Sequence, residues 1–282
     1  MDQQLSKETL LFEDTEIISI EKLDLDKYER LRQIGKGGFG VVDVFLRKED
    51  GTEIAIKILT KKDKKAHEDM IKEFNILKDI SISPNCHKNI ICYYNLVFVQ
   101  DDLGLMMDYL GTYNLSIYLS KNKNFMDNDT LLEYTKQTLS AVDYLHKHNI
   151  IHQDIKPENI MLQNGIIKLI DFGSADTPET FSGERFKGTP MYTSPEKLTK
   201  KLSFEEAKAS DIWAVGITFF TLSKGTYPYF QYLKNREVLY KAIKEKAIKL
   251  PEIHPIHKLL NLCLLHDYTK RPSAEDLVKL IE

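Results

Sequence analysis

Apolar and polar positions alternate over three successive stretches, YERLRQI from Tyr28, VVDVFLR from Val41 and EIAIKIL from Glu53, which predicts three neighbouring strands. Asp50-Gly51 between the last two reads as a hairpin turn, so the sheet is expected to be antiparallel. From Ile54 to Leu59 the period of two puts Ile54, Ile56 and Ile58 on one face and Ala55, Lys57 and Leu59 on the other. Met70, Phe74, Leu77 and Ile80 then recur at a helical period, predicting a helix over 66–80. Two more apolar strands, Ile90 to Val99 and Leu103 to Met107, flank a turn at Asp101-Asp102. After Tyr113 the pattern becomes helical. A long helix ending near Asn149 is expected to open on a capping box of Thr130 and Glu133 and to bury Leu131, Thr135, Thr138, Leu139, Val142 and Leu145. Residues 1–27 mix acidic and aliphatic positions without Gly or Pro, and are expected to form a short strand or helix against the domain that follows.

The richest chemistry lies in IIHQDIKPENIMLQNGIIKLIDFG, from Ile150 to Gly173. Asp154 can accept a proton from an attacking hydroxyl, and Lys156 can neutralise charge growing on a moving phosphate. Asn159 and Asp171 are hard oxygen donors of the kind magnesium takes alongside nucleotide phosphates. Asn164-Gly165 between two apolar runs predicts a tight hairpin, which brings Asn159 and Asp171 to the same end of two paired strands.

HQDIKPEN followed by DFG resembles the catalytic and metal-binding loops of eukaryotic protein kinases, and that resemblance extends over nearly all of Tyr28 to Glu282. It implies an α+β, two-lobed protein-kinase-like fold: a small antiparallel sheet lobe with one helix over 28–107, a hinge over 108–114 and a mainly helical large lobe over 115–282, with 1–27 as an N-terminal extension. The loop Gly35-Lys36-Gly37-Gly38-Phe39-Gly40 fits GxGxxG and runs into a strand rather than a helix, as the kinase lid over phosphates does. By resemblance Ile34 and this loop cover the nucleotide, Val42 and Ala55 touch the base, and Lys57 reaches the phosphates. Glu73 is implied as the partner of Lys57, with Glu68 as runner-up. Met107 takes the gatekeeper position, the backbone of Asp108 and Leu110 meets adenine, Asn114 the ribose, and Met161 completes the cofactor set.

Asp171 to Glu196 resembles the activation segment, ending in Ser-Pro-Glu where Ala-Pro-Glu is usual. Glu196 and Arg271 are implied as a buried pair, and Asp211 as the acceptor that holds the catalytic loop. Thr189 together with Lys156 resembles the serine/threonine-directed subclass, in which that hydroxyl bridges aspartate and lysine. The implied activity is transfer of the γ-phosphate of ATP, with Mg2+, to Ser or Thr hydroxyls of protein substrates. Two rivals are weighed. A kinase-fold scaffold would be favoured by losses at Lys57, Asp154 or Asp171, and none occurs. A small-molecule phosphotransferase would lack the run GTPMYTSPE. Gln153 departs from the family, which has arginine there to bind a phosphate on the activation segment. Thr177, Thr180 and Ser182 offer hydroxyls in that segment, with Arg185 and Lys187 the nearby cations, and activity independent of their phosphorylation is expected.

Composition narrows the partners. The net charge of -3 gives no basic excess for nucleic acid. KKDKK at 61–65 is read as a solvated loop. The longest apolar run, Ile212 to Leu222, is too short to cross a bilayer, so no membrane insertion is expected. Cys86, Cys92 and Cys263 are odd in number and irregularly spaced, and are expected to be reduced thiols in a cytoplasmic protein, with nuclear access left open. A regulatory partner is left open as well.

Overall fold

The computed structural model describes residues 7–9, 19–37, 40–61, 63–122, 126–183 and 187–281. It divides into two compact units, one of Met1–His87 with Ile91–Thr112 and one of Lys88–Ile90 with Tyr113–Glu282.

The first unit is built on a sheet. Its strands are β1 (Lys7–Thr9), β2 (Ser19–Lys22), β3 (Tyr28–Lys36), β4 (Gly40–Arg47), β5 (Thr52–Leu59), β6 (Tyr93–Val99) and β7 (Asp102–Asp108), in the order β1-β2-β6-β7-β5-β4-β3. All pairings are antiparallel except β2 with β6, which is parallel. Lys7–Thr9 and Ser19–Lys22 thus add to the sheet as strands, the second anchored by buried Ile20 and by the Leu23 N–H on the Phe98 carbonyl at 2.8 Å. The two faces of β5 separate as the alternation requires: Ile54, Ile56 and Ile58 enter the apolar cluster with Phe45, Val97 and Met106. Helix α1 (Lys64–Leu77) starts on Asp63, whose carboxylate accepts the Ala66 N–H at 2.8 Å.

One expectation about this unit is overturned. Cys86 and Cys92 form a disulfide, with Cα atoms 5.5 Å apart. Backbone bonds from Ser83 N to Tyr93 O and from Tyr93 N to Ser81 O fold the chain back on itself between the two cysteines, a proximity that linear spacing does not reveal. Only Cys263 is free, buried in the second unit with its thiol pushed up to about 12 by burial. Cysteine usage therefore gives no argument for a reducing compartment.

The second unit is mainly helical, with α2 (Leu115–Lys121), α3 (Asn128–Lys147), α4 (Phe204–Lys224), α5 (Arg236–Glu245), α6 (Pro255–Cys263) and α7 (Ala274–Ile281), and carries one hairpin of β8 (Ile160–Gln163) and β9 (Ile166–Leu169). Asn164 and Gly165 turn that hairpin in the left-handed region, at φ 52° and 77°. Helix α3 buries Leu131, Thr135, Thr138, Leu139, Val142 and Leu145, but its cap lies earlier than expected: Asp127, not Thr130, accepts the first free N–H, from Thr130 at 2.9 Å. Two candidate caps stand three residues apart, and the aspartate extends the helix by a turn. Helix α4 is apolar nearly all round, and among the described residues no helix is long and apolar enough to cross a membrane.

Arg271 ties this unit together. Its guanidinium makes a two-pronged bond to Glu196, at 2.8 and 3.2 Å, and also donates to the carbonyls of Ala209 (2.6 Å) and Leu265 (3.1 and 2.8 Å), so all five N–H groups are used. Both side chains are buried, and the guanidinium lies over the Trp213 ring. Removing one partner leaves an uncompensated buried charge, so Arg271→Ala is expected to lower the unfolding free energy by about 3 to 5 kcal/mol. Urea denaturation measures this, and a midpoint equal to that of the unsubstituted chain rules the buried pair out as a stabilising contact.

Candidate active site

In the first unit, β5 presents Lys57 opposite Val42 on β4 and Leu105 on β7. The ammonium lies 2.7 Å from a carboxylate oxygen of Glu73, one helical face away on α1. Glu73 is only 4% exposed, and its other oxygen accepts the Tyr93 hydroxyl at 3.0 Å. Glu68, the alternative partner, instead pairs with Lys64. Tyr93 is a contributor that sequence reasoning missed, since a tyrosine in an apolar strand reads as packing. Its hydroxyl fixes one glutamate oxygen, leaving the other for the lysine.

The glycine loop is described in part. Ile34, Gly35 and Lys36 end β3, and the Gly37 N–H bonds the Gly40 carbonyl at 2.9 Å, while Gly38 and Phe39 lie outside the described residues. A Cβ on Gly40 would stand 2.0 Å from the Ile58 carbonyl oxygen, so this glycine is required by the approach of β4 to β5. Around Gly37 there is open space. Ala55 pairs with Met107, and the Asp108 N–H is taken by the Cys92 carbonyl at 3.0 Å. Leu110 follows, buried.

In the second unit the chain from His152 to Asn159 is held by its own side chains. His152 accepts the Asp154 N–H on Nδ1 (3.2 Å) and faces the Ile170 carbonyl with Nε2 (3.1 Å), a pattern that assigns the proton to Nε2. The buried Asp211 accepts the backbone N–H of His152 and Gln153, at 2.9 and 2.8 Å, and meets the His146 ring at 3.0 Å. Gln153 consequently sits in the left-handed region at φ 66°.

Asp154 is the centre of the site. Lys156 Nζ donates to its Oδ2 at 2.6 Å and to the Thr189 hydroxyl at 2.8 Å, while the Thr189 hydroxyl and N–H donate to its Oδ1 at 2.7 and 2.9 Å. Burial pushes the Asp154 carboxyl up, but the bonds from Lys156 and Thr189 outweigh it and hold the group below the usual aspartate range. Asn159 donates its amide to the Asp154 backbone carbonyl at 2.9 Å and to Oδ2 at 3.2 Å, which leaves its carbonyl oxygen for a cation. Ile160 pairs with Leu169, so Asn159 and Asp171 flank one end of the hairpin, with Asp171 exposed and left-handed at φ 63°. Met161 on β8 is buried. Asn114 caps α2, accepting the Ile117 N–H at 2.9 Å and donating to the Glu158 carbonyl at 3.2 Å, a structural task that the ribose assignment did not anticipate. No group of three or more His, Cys, Asp or Glu converges as a resident metal site among the described residues.

Known proteins resemble this chain in sequence. The model of the protein kinase domain family matches residues 28–280. Protein kinase 3 of Dictyostelium discoideum is 34% identical over 90% of this chain and 28% of its own length. CBL-interacting protein kinase 12 of Oryza sativa subsp. japonica is 33% identical over 80% of the chain and 42% of its own. Serine/threonine-protein kinase PAK 1 of Mus musculus is 29% identical over 98% of the chain and 50% of its own. The chain thus spans half or less of the length of these relatives. With a family match across both units and relatives above 30% identity over most of its length, the chain belongs to the protein kinase domain family.

Proposed function

We propose that this domain transfers the γ-phosphate of ATP to serine or threonine hydroxyls of protein substrates. The observation that carries the reading is the arrangement of Thr189, Asp154 and Lys156 around one carboxylate. An acceptor hydroxyl placed against Asp154 loses its proton to the carboxylate as its oxygen bonds the γ-phosphorus, and the bond to the β-phosphate oxygen breaks to release ADP. Lys156, already at that carboxylate, is placed to neutralise charge on the transferring group. Lys57, oriented by Glu73, supplies an ammonium for nucleotide phosphates. The hard oxygens of Asn159 and Asp171 suit Mg2+, which when bound would neutralise phosphate charge. The relatives named as serine/threonine or protein kinases support protein substrates. The nucleotide requirement suits a cytoplasmic setting.

Three outcomes test this reading. Asp154→Asn is expected to lower kcat by about 100- to 10,000-fold, and Lys57→Met by about a hundredfold or more, each still folded and melting in one cooperative transition. Near-normal turnover of either variant with ATP, magnesium and a generic basic protein acceptor overturns the assignment.

The second concerns pH. Asp154 acts as a carboxylate, and because its folded-state value lies below the ordinary one it stays charged until pH falls below the usual aspartate range. In Thr189→Val one of the lowering bonds is gone while burial remains, so the acidic limb of kcat/KM is expected to move to higher pH. A limb that stays in place or moves down counts against Asp154 as the titrating base.

The third concerns activation. Asp176 of the activation segment is 1% exposed and already accepts Gln153 (2.6 Å), Lys187 (2.6 Å) and the Thr180 hydroxyl (3.0 Å). These bonds tie the segment to the loop before Asp154 through side chains alone, while Arg185 lies outside the described residues. Phosphatase-treated enzyme is expected to keep at least about a tenth of its activity, a barrier change within about 1.4 kcal/mol. A larger loss shows that the segment needs the phosphate.

A further inference from the structure

Gln153 and Lys197 meet inside the second unit in a way that neither residue's sequence context announces. The Gln153 amide is bonded at both ends. Its Nε2 donates to the Ser174 carbonyl at 2.9 Å and to Asp176 Oδ2 at 2.6 Å, and its Oε1 accepts Lys197 Nζ at 3.3 Å. Lys197 follows Glu196 in a short 3-10 turn and is 5% exposed. Its other bond goes to the Lys187 carbonyl at 3.1 Å, and no carboxylate forms an ion pair with it among the described residues.

A buried ammonium with only neutral acceptors is costly, and burial pulls the Lys197 pKa below the lysine range. Its position makes sense through the amide. Lys197, the Gln153 carbonyl, the Gln153 N–H and the Asp176 carboxylate form one chain from cation to anion, with the amide dipole aligned along it. Turning the amide over would set its oxygen against Asp176 and its hydrogens against Lys197, so both charges fix its orientation.

The same cation reaches the reacting carboxylate by a second route. Lys197 holds the Lys187 carbonyl, and Gly188 follows at φ 87°, so close to the catalytic loop that a Cβ there would stand 2.2 Å from the Gln153 carbonyl oxygen. The next residue is Thr189, whose hydroxyl and N–H bind Asp154. Lys197 thus bonds the Gln153 side chain on one of the two segments whose approach sets the Asp154–Thr189 contact and the Lys187 backbone on the other.

We propose that Lys197 is a positioning residue for phosphoryl transfer, which works through the Gln153 amide and the Lys187 carbonyl and makes arginine at position 153 unacceptable in this chain. An arginine there would bring a permanent charge to within a few ångströms of the Lys197 ammonium, in a place where Lys187 already serves Asp176. Glutamine offers lysine an acceptor and aspartate a donor at once, which arginine, a donor only, does not. This inference rests on the kinase reading for its activity measurements, but its central claim is a coupling between two side chains that also shows in stability.

The experiment is a four-cornered cycle of the unsubstituted chain, Gln153→Arg, Lys197→Met and the pair, each assayed for kcat, for the KM of ATP and for melting temperature. Gln153→Arg alone is expected to lose at least about tenfold in kcat, equivalent to about 1.4 kcal/mol, and Lys197→Met a similar factor, with the KM of ATP changed less than about twofold in both. The pair is expected to lose clearly less than the product of the two single losses, the Lys187 carbonyl remaining without its lysine donor, and to melt higher than the sum of the single shifts. Methionine keeps most of the length of lysine without its charge, so a steric clash with the body of the side chain at position 197 would survive in the pair. Full activity of Gln153→Arg alone, or losses in the pair equal to the product of the single losses, overturns the proposal. If the unsubstituted chain itself shows no turnover, the proposed function fails; the melting cycle then decides the coupling, and additive shifts overturn it.

Discussion

The buried carboxylate of Asp211 fixes the backbone on which the second unit's chemistry depends. It accepts two consecutive N–H groups, those of His152 and Gln153, and so holds Gln153 in a left-handed conformation that a non-glycine residue adopts at a cost of about 1 to 3 kcal/mol. Each bond to a charged acceptor contributes about 1.5 to 3 kcal/mol, so the two together offset that strain. Burial pushes the Asp211 carboxyl up, yet the His146 contact and its other donors hold it below the usual range, so it remains an anion. With the turn at Gln153 fixed, Asp154 comes next and its carboxylate meets Lys156 and Thr189. Helix α4 also supplies the Ala209 carbonyl to Arg271, whose grip on Glu196 anchors the far end of the segment that carries Thr189. One helix thus stabilises both backbones that meet at Asp154.

The first unit applies the same economy to Lys57. A lysine on the inner run of a sheet needs an anion, and Glu73 supplies one from α1, itself kept from wandering by Tyr93. The outer alternation of β5 drives this geometry: burying Ile54, Ile56 and Ile58 on one face commits Lys57 to the other. The requirement at Gly40 comes from the same sheet, since any side chain there would strike the β5 backbone.

Much of this was legible because the informative residues are close in sequence. Asp154, Lys156, Asn159 and Asp171 lie on one short loop and hairpin, and a hairpin with Asn-Gly at its turn has little freedom in register. The strand faces and the buried face of α3 followed from periodicity alone, because period converts directly into direction. The contacts that escaped join residues far apart and of unremarkable type. Lys197 reads as one of many lysines, and nothing linear links it to Gln153, 44 residues earlier. Tyr93 reads as an apolar strand residue although its hydroxyl matters. The Cys86–Cys92 bond depends on a fold-back of the intervening chain, and the start of α3 on which of two adequate caps gains the extra turn. In each case tertiary geometry selects among options that local physics leaves nearly equal.

The proposed phosphoryl transfer would set two demands on Asp154 against each other. The bonds from Lys156 and Thr189 keep it ionised, and a carboxylate held below the usual aspartate range is a weak base that does not deprotonate a free alcohol. The conflict disappears if the proton moves late. In a loose transition state the bond to the leaving oxygen is largely broken before the new one forms, so the acceptor hydroxyl becomes acidic only as its oxygen bonds to phosphorus. Before that point Asp154 serves best as an acceptor that orients the hydroxyl, which calls for an anion in a fixed place rather than a strong base. Two bonds to Oδ1 from a single residue, Thr189, and a lysine at Oδ2 supply that fixity. The hydrogen bonds that weaken the base are therefore the same ones that aim it, and aim is what this reaction requires.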